Sequence, residues 1–263
     1  MTKRLALLIF LAVLSITLIF FSVRNTGKSA TKKTVAVEEK TPITEYKEHL
    51  SPLDYNSILG KTNYNSTPLE ILELGYLKLS TGLIVVEDPL VMLSAEPFIK
   101  PVKPGNYPVS VVVAKTKDSG DRYALAQLRF SDKKAEKWVL ALKKNDDTTD
   151  LKPDEYLGFS VDAGLACFAD HPAANEYLRF NDKFNEDHPD ENMYDDLLAA
   201  EFKKNAQNKD DPQDVGDWVN FKIPNSAKNI ILFHSGDGDG VYPCYWGVTK
   251  AGEVVSLVID SLY

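Results

Sequence analysis

Eight short runs rich in β-branched and aromatic residues recur from residue 83 onward, at 83–86, 107–114, 123–130, 138–142, 158–161, 229–234, 242–248 and 254–259. Each is bounded by Pro, Gly, Asp or Asn, the punctuation that ends strands. Their shortness and close spacing leave little room for crossover helices, so the pattern predicts mostly antiparallel β structure, sandwich-like or barrel-like. Within 124–130, Ala124, Ala126, Leu128 and Phe130 alternate with Leu125, Gln127 and Arg129, which predicts a strand with one partly wet face. The stretch 248–254 reads as a hairpin with Gly252 at its turn. Thr67-Pro68-Leu69-Glu70 has the form of a helix capping box, but Gly75 follows closely, so a short helix and a strand both remain open there.

Helical periodicity is confined to one stretch. Met193, Tyr194, Leu197, Leu198 and Phe202 form an apolar stripe at helical spacing and are expected to face the core. They belong to an acidic, partly helical insertion at 172–217. Between 181 and 217 there are 12 acidic and 4 basic residues, a local net of −8 that equals the net charge of the whole chain. Such a segment reads as a solvated, solubilising surface, with a docking face for a basic partner as the sharper reading. The fold class is therefore α+β, with the helices inserted into a β-rich domain.

The other constraint lies at the N-terminus. After Lys3 and Arg4 come nineteen uncharged residues, 5–23, whose only polar members are Ser15, Thr17 and Ser22. As a helix they would rise about 28 Å, close to the hydrocarbon thickness of a bilayer. The run is longer than the apolar core of a signal peptide, and the nearest small-x-small site, Gly27-Lys28-Ser29, carries a charge. The expected organisation is an N-terminal membrane-spanning or signal helix at 1–24, a polar tether at 25–48 and a single domain at 49–263. The domain is expected outside the cytoplasm on one membrane helix, or else secreted after cleavage. Basic residues flank both ends of the apolar run, so charge bias does not orient it.

Composition excludes several classes. With 30 basic against 38 acidic residues the chain is no general nucleic-acid binder, and 2 cysteines make no disulfide scaffold. The partner is expected to be a protein or a small ligand, with the membrane engaged through 5–23.

Two segments carry candidate chemistry. In 161–171, Asp162, Cys167, Asp170 and His171 fall close together. Cys167 with His171 or His234 as base has the composition of a nucleophilic site, given a lowered thiol pKa; a small buried hydrophobe is the plainer reading of Cys167, and a helix cap that of Asp170. In 234–247, three glycines alternate with Asp237 and Asp239 after a strand. Those carboxylates are candidate ligands for calcium, with Asp162 or Asp260 as a third donor, although the spacing matches neither an EF-hand nor a phosphate loop. A turn whose Asp side chains bond backbone amides is the alternative. Candidate ligand-binding residues are Asp162, Gly164, Asp237, Asp239 and Tyr242. If the domain is exported, Cys167 and Cys244 could pair.

Several words occur together in fixed order: Leu79-Ser80-Thr81-Gly82, Asp88-Pro89-Leu90, Gly105-Asn106-Tyr107-Pro108-Val109, Val161-Asp162-Ala163-Gly164 with Cys167-Phe168, Phe233-His234-Ser235-Gly236, Gly238 to Pro243, and Asp260. In this combination the chain resembles the bacterial family called domain of unknown function 4241, from about Gly75 to the C-terminus. The resemblance implies one domain and carries no activity. The expected function is a non-catalytic binding or interaction module; the alternatives are a hydrolase or transferase built from Asp162, Cys167, His234 and Asp239, and a calcium-stabilised exported domain.

Overall fold

The computed structural model describes residues 48–92, 94–117 and 120–262, all within one compact unit, 45–263. The membrane segment expected at 5–23, and the tether up to residue 47, lie outside the described residues. Among the described residues no helix is long and apolar enough to cross a membrane.

Twelve strands are present among the described residues: β1 (Asn63–Tyr64), β2 (Thr67–Leu79), β3 (Ile84–Glu87), β4 (Gly105–Thr116), β5 (Gly120–Arg129), β6 (Lys137–Leu140), β7 (Gly158–Val161), β8 (Leu165–Asp170), β9 (Trp218–Lys222), β10 (Asn229–His234), β11 (Gly240–Val248) and β12 (Val254–Asp260). They pair antiparallel in two sheets. The larger runs β1-β2-β4-β5-β12-β11-β6, with β7 also paired to β11, and curls into a half-barrel. The smaller runs β3-β8-β10-β9.

The capping-box word resolves as strand. Asn65 and Ser66 both adopt positive φ, 46° and 68°, and Tyr64 pairs with Thr67 across them. This two-residue turn has the twist a hairpin needs, and it commits Thr67 to a strand before a helix can start. β2 then bends at Gly75, where the register with β4 shifts and φ is +94°. A bulge of this kind sharpens the local twist and swings the second half of β2 over the smaller sheet. Two asparagines satisfy its free edge. Asn229 donates Nδ2 to the Tyr76 carbonyl at 2.9 Å and accepts from the Lys78 amide at 3.1 Å, while Asn220 Nδ2 reaches the Leu74 carbonyl at 3.4 Å.

The layers follow from alternation along the strands. In β8, Ala166 and Phe168 join the core between the two sheets, whereas Leu165, Cys167 and Ala169 join a second core beneath the helices. A strand buried on both faces shows no apolar/polar alternation in sequence. β10 is buried in the same way but carries two isoleucines, whereas β8 has no β-branched residue and so was not among the eight expected strands; β9 was missed as well.

α1 (His171–Asp187) and a helical run from Met193, through a π turn at Tyr194–Leu198 to α2 (Ala199–Lys203), cover the smaller sheet. Met193, Leu198 and Phe202 are buried there, with Tyr194 and Leu197 packed against them, so the stripe faces the core. The acidic insertion is thus a third layer of the fold as well as a charged surface. A third apolar cluster lies on the outer face of the larger sheet, where Tyr55 and Ile58 cover Val258, Leu140 and Trp138.

Candidate functional site

Two buried carboxylates organise the loops at which the sequence words cluster. Asp170 is 1 % exposed; it accepts from the Ser80 amide at 2.8 Å, from the Ser80 hydroxyl, from the Thr81 amide at 3.2 Å and from Thr81 Oγ1 at 2.6 Å. Asp170 does occupy the N-cap position of α1, yet its side chain makes no capping bond. The expectation of a helix cap is therefore corrected: the carboxylate is fully engaged by the Ser80-Thr81-Gly82 turn. Asp88, also 1 % exposed, accepts from the amides of Asp162 at 3.0 Å, Ala163 at 2.7 Å and Leu90 at 3.0 Å. It thereby fixes the turn between β7 and β8. Charge-assisted bonds of this kind are stronger than neutral ones.

The turn fixed by Asp88 meets the loop between β10 and β11. Ser235 donates its amide to the Gly164 carbonyl at 3.0 Å. Within the loop, Ser235 Oγ and the Tyr242 hydroxyl both donate to the Gly238 carbonyl, at 2.9 and 2.8 Å. Gly164 and Gly238 hold φ of +68° and +95°, a conformation that side-chain-bearing residues adopt with strain. The loop is also tied to β5 by an Asp237–Arg122 ion pair.

Between these two turns lies a shallow, open depression lined by Gly164, Tyr194, His234, Ser235, Gly236 and Gly238. His234 closes one side. Its Nδ1 lies 3.2 Å from Asp217 Oδ1, its amide donates to the Asp217 carbonyl at 2.9 Å, and its ring stacks on Phe202 at a centroid distance of 5.7 Å. With Asp217 on Nδ1, Nε2 is the remaining polar atom of the ring.

The candidate residues scatter around this framework. Cys167 is fully buried, and burial pushes its thiol well above the ordinary range, opposite to the shift an activated nucleophile needs. Cys167 and Cys244 are both free thiols. Cys244 faces the core between the sheets and Cys167 the core under the helices, so the smaller sheet separates them. Asp162 and Asp239 are exposed. Tyr242 is buried, with its hydroxyl spent on the loop. Asp237 is engaged by Arg122 and Asp260 by Tyr55. Among the described residues no group of three or more His, Cys, Asp or Glu side chains is placed to hold a metal ion. Gly164 and His234 are brought together; Asp162, Cys167 and His234 do not form one constellation.

The match to known families follows the same residues. Residues 77–259 match the model of the family described as protein of unknown function, DUF4241. The chain belongs to the DUF4241 family. The matched span of this DUF4241 domain runs from the second half of β2 to the end of β12 and contains Ser80, Asp88, Asp170, Asp217 and His234, together with both glycine turns. Asp260 falls one residue outside it, and Tyr55 lies well before it. Nothing among curated proteins or solved structures matches the chain. Asp217 and Asp88 were not among the candidate site residues, and Tyr194 was expected only as part of the core-facing stripe. Asp88 sat visibly in the Asp-Pro-Leu word, whereas Asp217 was one of twelve acids in a charged segment.

Proposed function

We propose that the domain is a non-catalytic binding module, presented outside the cytoplasm by the N-terminal segment 5–23 acting as a membrane anchor. Its binding face is the depression between the turn at Gly164 and the loop 235–240. The observation that supports this reading is how the polar groups of these loops are used. Asp88, Asp170, Ser235 and Tyr242 are spent on holding backbone in shape, and Cys167 is buried. That leaves a rigid surface of glycine backbone, His234 and Tyr194, suited to recognition.

The test has two arms. Because both native cysteines are buried, localisation is read from Val215→Cys, at a position 52 % exposed. A membrane-impermeant maleimide is expected to label it in intact cells; protection until lysis would overturn the extracytoplasmic placement. A photo-crosslinking residue replacing Val241, which is 50 % exposed beside the loop, is expected to give one discrete adduct in cells. That adduct should disappear when His234→Ala is added. An adduct that survives His234→Ala, or no adduct at all, counts against the face.

A further inference from the structure

We propose a second binding site, for a small oxyanion carried by a carboxylate or phosphate group, on the outer face of the larger sheet. A depression of about 240 Å³ opens there between β5, β12 and the 131–136 loop. Its size is below the roughly 300 Å³ at which pockets for drug-sized ligands begin, which suits a compact anion. It lies at the opposite end of β5 from Arg122 and shares no residue with the face around His234, so it stands or falls independently of that reading.

Three features carry the assignment. The first is charge. In a chain of net charge −8, this depression is lined by Arg129, Lys133 and Lys134, with Asp132 as its one acidic wall residue. Arg129 pairs with Asp132, whose side chain is 93 % exposed, and Lys133 pairs with Glu253; exposed pairs of this type are weak and easily exchanged. Lys134 has no carboxylate within ion-pair distance among the described residues, its influence being felt at Asp54. An incoming anion therefore finds one cation free and two with replaceable partners.

The second feature is an unused hydroxyl just behind the wall. Ser256 is 3 % exposed and borders the depression, and its Oγ, closed to solvent and one side-chain rotation from the opening, has no hydrogen-bond partner. Buried polar atoms without a partner are rare in native folds and call for an explanation such as a bound ligand or water. Gln127 supplies a further polar group on the same wall.

The third is a fixed floor. The Trp138 ring is held by an Nε1 bond to Asp54 Oδ1 at 3.2 Å and by edge-on packing with Tyr55. It lies over Gly247, where a Cβ would come within 2.7 Å of the ring and 3.0 Å of Ser256 Oγ. Glycine at this position keeps both Trp138 and the serine hydroxyl in place.

The experiment uses the full chain in detergent, titrated with inorganic phosphate and with citrate at constant ionic strength made up with potassium chloride. A saturable rise in Tm is expected with at least one of the two and none with chloride alone. The double variant Arg129→Gln, Lys134→Gln changes only rim residues and is expected to weaken the effect at least tenfold in Kd. Lys209→Gln, in the acidic insertion, should leave it unchanged. Ser256→Ala is expected to weaken binding several-fold while keeping the Tm without anion. A response to phosphate alone would identify a tetrahedral oxyanion, and a response to citrate alone a carboxylate. No saturable shift with either anion, or an equal shift in the double variant, would overturn the site.

Discussion

The Tyr55 hydroxyl donates to Asp260 Oδ2 at 2.6 Å, joining residues 205 positions apart. Both are buried. Asp260 Oδ1 also accepts from the Leu262 amide at 2.9 Å, so the turn at Tyr55–Ser57 is bolted to the end of β12 and the two ends of the domain close over the outer face of the larger sheet. Tyr55→Phe keeps the ring packing on Trp138 and Tyr245 while removing the donor. It is expected to cost about 2 kcal/mol, since a buried carboxylate loses a partner, and to lower Tm by roughly 4–8 °C for a domain of this size. Urea and thermal melts check this, and a Tm unchanged within error would mean that water replaces the hydroxyl.

The two buried aspartates make a sharper comparison. If Asp170 acted as a helix cap, Asp170→Ala would cost about 1 kcal/mol and fray the start of α1. Because its carboxylate instead holds Ser80 and Thr81, the expected cost is about 3 kcal/mol. The expected signature is fast amide exchange at Ser80 and Thr81 with α1 still protected. Asp88→Ala should do the same to Asp162 and Ala163, whose amides it accepts. Fraying of α1 as the main effect of Asp170→Ala would refute the assignment.

Sequence patterning was most informative where strands carry β-branched residues, have one wet side or end in clear turns. The run expected at 229–234 is β10 itself, and 158–161 is β7. It failed where tertiary contacts override local signals. β8 has no β-branched residue, so Cys167 and Asp170 read as lying between a strand and a helix; Cys167 is the buried hydrophobe that was its plainer reading, and Asp170 is not the helix cap expected of it. The capping-box word at Thr67 lost to a hairpin turn. The words that mark the family were visible, but their physical meaning was not: Ser80-Thr81 and Asp170 are partners across about 90 positions, and Asp88 is the partner of Asp162-Ala163. Pairings of that range depend on how the strands are ordered, which periodicity does not encode. His234 was legible as a candidate, whereas its orienting Asp217 was hidden in a charged run.

Two glycines that both hold positive φ should respond very differently to alanine. Gly82 has φ of +76°, and a Cβ there would lie 1.8 Å from the Val102 carbonyl oxygen; Gly238 has φ of +95° and open space around it. Gly238→Ala is expected to cost about 1–2 kcal/mol, from the backbone conformation alone. Gly82→Ala adds a backbone collision next to the turn that Asp170 organises, and is expected to cost more than 4 kcal/mol, a range reached by few single substitutions. Chemical denaturation of both variants checks the ordering; equal costs would show that the Gly82 turn shifts freely.

Asp260 also gives the fold a specific pH response. Burial raises its pKa above the ordinary carboxylate value of 3.8, against the opposing bonds from Tyr55 and Leu262. A carboxyl whose pKa is higher folded than unfolded favours the folded state most when protonated. Its contribution is therefore complete below about pH 3.8 and is lost as pH rises through the folded-state value. Asp260→Asn cannot titrate, while its side-chain carbonyl can still accept from Tyr55. The stability lost on this substitution should accordingly be largest near pH 3.5 and shrink towards pH 7, by about 1.4 kcal/mol for each unit by which the pKa is raised. Urea melts of both proteins at the two pH values isolate this one group, because every other titration cancels in the difference. A penalty that grows with pH would show that Asp260 is held as a stabilised carboxylate, with its pKa lowered by partners that outweigh its burial.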